Sequence, residues 1–198
     1  GIFPPEIGGP ATYSWTLLHE LPKHGFFVKI ITYGKPDVEG AVGVSRVWPK
    51  GIRHLIFFVK LLWLGFGCDL ILAADASFGA GYLAGLAARI LSKKFMVRVT
   101  GDYAWEQGVA RFRVTDLLDD FRPFAGGKRY PLSVRVLAWF QAATLRMAGS
   151  IVAPSEYLKK IAMRWGIAAD RIKVIYNGVP GVRVVESKEV LRSDLGLA

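Results

Sequence analysis

Five short, mostly apolar runs recur along this chain, at 27–32, 69–74, 95–100, 150–153 and 172–176. They are rich in Val and Ile and show little of the polar alternation of a strand that faces water on one side. Runs of this kind read as strands buried on both faces. Between them lie segments of helical pattern, at 11–21, 53–65, 77–91, 131–147 and 155–165. A strand–helix alternation with short links predicts an α/β fold: a Rossmann-like parallel sheet with helices on both faces. A further short strand is expected at 44–48, ended by Pro49. The stretch 108–130 interrupts the pattern with Arg111, Arg113, Asp116, Asp119, Asp120 and Arg122, then Gly126 and Gly127. Partial helix and mobile loop are expected there.

Ligands of open parallel sheets sit beyond the carboxyl ends of the strands, and four segments are expected at that edge. One is GIFPPEIGGP at 1–10. Its prolines oppose a helix, while Gly8 and Gly9 let a ligand approach main-chain N–H groups with no Cβ in the way. The helix that follows puts Ser14, Leu17, Leu18 and Leu21 on one face. A glycine turn feeding a helix N-terminus suits an anion, because free N–H groups and the helix dipole both favour negative charge. A plain loop-to-helix turn fits the same residues. Such a loop normally follows a buried strand, so a chain lacking the start of its first strand is expected. The other segments are Gly101 to Glu106, Pro154-Ser155 and Asn177-Gly178. Ser155 suits an N-cap, with Leu158, Ile161, Ala162 and Trp165 on one helix face and Gly166 as the stop.

Composition narrows the function classes. One cysteine, Cys68, excludes an internal disulfide, and three histidines without paired spacing argue against structural zinc. The net charge of +10 favours an acidic partner: anionic lipid, nucleic acid or phosphorylated small molecules. Arg122, Lys128, Arg129 and Arg135 cluster loosely, but no nucleic-acid motif surrounds them. Mean hydropathy is +0.31. The most apolar segment, LIFFVKLLWLGFG at 55–67, is shorter than the roughly 20 residues a bilayer span requires. It reads as a half-buried helix, or as one lying on a membrane surface.

Four stretches, PPEIGGPATY at 4–13, VTGDYAWE at 99–106, APSEYLKKI at 153–161 and IKVIYNGV at 172–179, together resemble the N-terminal half of family 4 glycosyltransferases of the GT-B fold. The resemblance implies a Rossmann-like N-terminal domain at 1–180, with an incomplete first strand. Residues 181–198 would link it to a C-terminal domain that holds the nucleotide-sugar. It implies retaining transfer of a sugar to a glycan or lipid-linked acceptor, without a bound metal or other cofactor. The nucleotide-sugar is the co-substrate, and the cytoplasm, peripherally at the membrane, is the expected place. The 198 residues alone are expected to be inactive. Gly8 and Gly9 would lie against donor phosphates or the acceptor. Many relatives carry a His where this chain reads Gly101-Asp102-Tyr103. Asp102 is therefore the catalytic candidate, as a base or hydroxyl acceptor, with a turn-capping role as the alternative. Tyr103 and Trp105 suit stacking on a sugar ring or filling the domain edge. Glu106, Ser155 and Asn177 complete the binding candidates. The competing readings are a non-catalytic Rossmann-like module for nucleotide or sugar phosphate, and a membrane-surface interaction protein. A nicotinamide site is disfavoured, since Gly8-Gly9 lacks the G-x-G-x-x-G spacing.

Overall fold

The computed structural model describes residues 2–125 and 130–178, together with positions 187, 190, 192, 193 and 196. Its strands are β1 (Ile30–Tyr33), β2 (Ala41–Val44), β3 (Leu70–Ala73), β4 (Lys94–Arg98), β5 (Ser150–Ala153) and β6 (Ile172–Val174). All the pairings among them are parallel, as the apolar runs predict, but they fall into two sheets. β1 pairs with β2, Tyr33 opposite Val44. β3, β4, β5 and β6 pair in that order, with Ile71 opposite Phe95, Val97 opposite Ile151 and Ile151 opposite Ile172. One continuous apolar core joins the two sheets, running from Tyr33, Val44 and Phe57 through Ile71 and Val97 to Ile151 and Ile172.

The helices are α1 (Gly9–Glu20), α2 (Lys50–Phe66), α3 (Leu83–Ile90), α4 (Tyr103–Phe112), α5 (Leu132–Met147) and α6 (Glu156–Arg164). α3 and α5 pack on β4, α3 also on β3, and α6 on β5 and β6. A single turn of π-helix, Phe78–Tyr82, precedes α3, with the Ser77 hydroxyl accepting from the Ala80 N–H. The small residues around it serve close approach. A Cβ on Gly81 would run into the Asp75 carbonyl, and one on Gly85 would meet Phe95 and Met147.

Three expectations need correction. The strand expected at 44–48 lies earlier, at Ala41–Val44, while Val47 and Trp48 are exposed. Register with β1 recruits Ala41 and Gly43, whose small side chains give little strand signal. Gly43 is required there, because a Cβ would collide with the Gly34 carbonyl and the Pro36 ring. Second, Gly101 to Glu106 is not all loop: Asp102 caps α4, and Tyr103 onward is helical. Third, the pairing at 172–176 ends at Val174. Lys128, Arg129 and most of the tail, with its expected linker, lie outside the described residues.

Candidate functional site

The strands' carboxyl ends gather three groups of side chains. The first surrounds Asp102, four residues beyond the end of β4. Its backbone is extended while Tyr103 onward is helical, so its Oδ1 is free to accept the Trp105 main-chain N–H at 3.1 Å. Its Oδ2 accepts the Trp165 indole N–H at 2.9 Å. The residue is 2% exposed. Burial raises its pKa, and the hydrogen bonds from Trp105 and Trp165 act against that rise. Gln141, on α5, accepts the neighbouring Ala104 N–H at 2.8 Å, so α4 and α5 are tied at this point. Both Asp102 oxygens are thus engaged within the fold, which is the capping geometry.

Beside it, Glu106 folds its carboxylate back over Gly101, where a Cβ would collide with it. Desolvation of that carboxyl end, and then the charges of Asp102 and Asp75, raise its pKa. Tyr103, half-buried in the first turn of α4, is raised by burial and then by Asp75. A cavity of about 90 Å³ opens beside Asp102, lined by Phe121, Phe124, Ile161 and Trp165 among others. Small-molecule sites run to roughly 300–1,000 Å³, so this cavity does not hold a nucleotide-sugar by itself.

The second group centres on Arg98, the last residue of β4. Its Nη2 donates to Asn177 Oδ1 at 2.7 Å, reaching across β5 to the loop after β6. Its Cζ stands 3.9 Å from the centre of the Tyr13 ring, on α1. α1 begins at Gly9 without a side-chain cap and without an acidic residue in its first turn. A Cβ on Gly9 would meet nothing within 4 Å, so that face of the loop is open. Gly8 is different, since a Cβ there would press on Ile2.

The third group stands at the end of β1. The Tyr33 hydroxyl donates its one proton to the Gly79 carbonyl, so His54 presents Nδ1–H to the phenol oxygen at 2.7 Å. Burial, then Arg53, lowers the His54 pKa. Burial pushes the Tyr33 phenol well above its ordinary range.

Of the sequence candidates, Asn177 joins α1 through Arg98 and Tyr13, while Asp102, Tyr103 and Glu106 share the start of α4. Ser155 accepts the Leu158 N–H at 3.2 Å and caps α6. Arg98, the Tyr33–His54 pair and Trp165 as the partner of Asp102 escaped the sequence reading. Only Arg98 left a signal there: a lone cation inside the apolar run 95–100. Among the described residues, no three His, Cys, Asp or Glu side chains come together to hold a metal ion.

The profile of Glycosyltransferase Family 4 matches residues 7–181. The chain belongs to glycosyltransferase family 4. Solved structures agree on the fold. HepE of Anabaena in complex with UDP-glucose superposes with a TM-score of 0.58 at 16% identity, covering 98% of this chain and 48% of that one. HepE in complex with UDP gives 0.52 at 17% identity, covering 79% and 36%. The UDP-GlcNAc 2-epimerase of Methanocaldococcus jannaschii gives 0.52 at 13% identity, covering 81% and 40%. These are GT-B folds, and the family 4 chain spans less than half of each. A search of curated protein sequences found no match.

Proposed function

We propose that this chain is the acceptor-side half of a retaining, nucleotide-sugar-dependent glycosyltransferase of the hexosyltransferase type. A second domain like those of its longer relatives completes the cleft, and residues 181–198 lead toward it. The reading is supported chiefly by the family 4 match, together with the open face of Gly9 and the uncapped start of α1 at the strands' carboxyl edge. In sugar transfer the leaving group is a nucleoside diphosphate. Preorganised main-chain N–H groups at a helix N-terminus stabilise the negative charge that builds on it. Gly8 and Gly9 take that role here, and Asn177 binds at the same edge. Asp102 remains the candidate in its loop for a hydroxyl or proton, Tyr103 and Glu106 line the acceptor side, and Ser155 contacts substrate only as an addition to its cap. No metal is required. The test is a donor panel given to the longer protein. Transfer from, or hydrolysis of, at least one nucleotide-sugar is expected, with none from the 198 residues alone. A longer protein inert toward every donor would remove the reading.

The acceptor is proposed to be a glycan or a lipid-linked molecule of the cell envelope, used at the cytoplasmic face of the membrane. One observation favours a lipid surface. Ile52, Leu55, Val59, Trp63 and Phe66 are all exposed and lie on one face of α2, opposite the buried Phe57 and Leu61. The helix carries Lys50, Arg53 and Lys60 and no acidic residue. Among the described residues no helix is long and apolar enough to cross a membrane. Lys60 turns in to the Gly43 carbonyl and Arg53 to the Tyr33 ring, so the exposed stripe is apolar and the attraction to an anionic bilayer comes from the net charge of +10. Vesicles with anionic lipid should co-sediment the protein, and Trp63→Glu should release it. Equal binding to neutral vesicles would refute the charge part, and no binding to either would refute the surface role.

A further inference from the structure

Arg98 has an environment that structural packing alone does not explain. It is 4% exposed. Buried guanidinium groups are ordinarily matched by a carboxylate. Among the described residues no carboxylate pairs with it; the ion pairs there join Lys23 to Glu20, Arg46 to Glu6 and Arg164 to Asp119. Its partners are neutral, the Asn177 amide oxygen and the face of Tyr13. Desolvation lowers its pKa, and only the Tyr13 phenol acts against that fall.

Among the described residues, only Arg53 Nε is a fully enclosed side-chain nitrogen or oxygen without a hydrogen-bond partner. No Arg98 nitrogen is therefore both fully enclosed and without a partner. Tyr13 stands one turn into α1, about 6 Å along the helix from Gly9. A guanidinium fixed by a ring on one side and an amide on the other keeps its remaining donors in one plane, the arrangement that takes two oxygens of one anion.

We propose that Arg98 is a phosphate-binding residue of this edge, with Tyr13 and Asn177 holding its guanidinium in place. The ligand chemistry is a phosphate or diphosphate group whose charge supplies the counter-ion that none of the described residues provides. Under the glycosyltransferase reading, on which the choice of source rests, the group belongs to a nucleotide-sugar or to a phosphorylated acceptor.

The test uses this chain labelled with nitrogen-15 in arginine. The Arg98 Nε–Hε resonance is assigned by its loss in Arg98→Lys, and titrations use inorganic pyrophosphate, UDP and glycerol phosphate. Pyrophosphate is expected to move the Arg98 resonance saturably. Arg98→Lys, which cannot pair bidentately, is expected to weaken pyrophosphate about tenfold or more. Asn177→Asp gives Arg98 an internal carboxylate. It is expected to raise the melting temperature while weakening pyrophosphate by a similar factor, a combination that a purely structural Arg98 would not produce. UDP binding more tightly than glycerol phosphate identifies the donor as the source, and the reverse order identifies the acceptor. Saturating pyrophosphate that leaves the Arg98 resonance unmoved would overturn the proposal, as would unchanged affinity in both variants. Either result would leave the glycosyltransferase reading intact. A longer protein that transfers no sugar, with Arg98 still binding pyrophosphate, would do the opposite.

Discussion

Replacing Asp102 separates its two candidate roles, as a cap or as a group that handles protons. In Asp102→Ala, α4 loses the acceptor for the Trp105 N–H, a capping loss of about 1 kcal/mol. The Trp165 indole N–H, 2.9 Å from Oδ2 in a buried setting, is left unpaired at a further cost of about 1–3 kcal/mol. Relief of a buried charge offsets part of this. The expected net loss is therefore below the roughly 2–4 kcal/mol that the two terms sum to, read by urea unfolding of this chain. For a chain of this size that is a fall in Tm of up to roughly 15 °C. Asp102→Asn keeps one oxygen for one of the two donors, so it should lie between the wild type and Ala. The pH dependence gives an independent reading. Burial holds the folded-state pKa of Asp102 above its unfolded value. Between those two values the folded chain keeps a proton that the unfolded chain has released. Stability therefore falls as pH rises through that window and levels above the folded pKa. Asp102→Asn should remove this share of the slope, leaving the share of Glu106, which has the same sign. An Asp102→Ala chain as stable as the wild type would refute the capping account. A longer protein that loses transfer on Asp102→Asn, with little change in unfolding, would place the residue in the chemistry.

Gly9→Val should still fold, because no atom outside the neighbouring residues stands within 4 Å of the new Cβ, with some loss of stability since a β-branched residue before Pro10 is disfavoured in a helical conformation. It should nonetheless lower nucleotide-sugar turnover in the longer protein; a Gly9→Val protein with full turnover would count against the loop. Gly43→Ala should destabilise by about 2 kcal/mol or more, since its Cβ meets the Gly34 carbonyl and the Pro36 ring, and thermal unfolding reads this directly. His54 has its folded-state pKa lowered, so the unfolded chain takes up a proton first as pH falls. That contribution is lost as pH drops from its unfolded value toward the folded one, and His54→Gln should flatten the stability profile there. Tyr33→Phe leaves the Gly79 carbonyl without its donor and should cost about 1–2 kcal/mol in urea unfolding.

The sequence by itself determined the parallel α/β class, because strands buried on both faces need uniformly apolar runs, and the runs around Ile71, Val97 and Ile151 have them. It also determined Ser155 as a cap and Gly166 as a stop, since both depend on backbone conformation within a few residues. Tertiary structure decided the rest. The division into two sheets and the place of β2 arise from pairing between distant strands, for which Ala41 and Gly43 carry almost no local signal. The capping environment of Asp102 depends on Trp165, 63 positions along the chain, and that of Arg98 on Tyr13 and Asn177. A side chain's charge is legible in the sequence, but whether a counter-charge stands beside it is set by packing across strands. For Arg98 that packing left the charge buried and held by neutral groups.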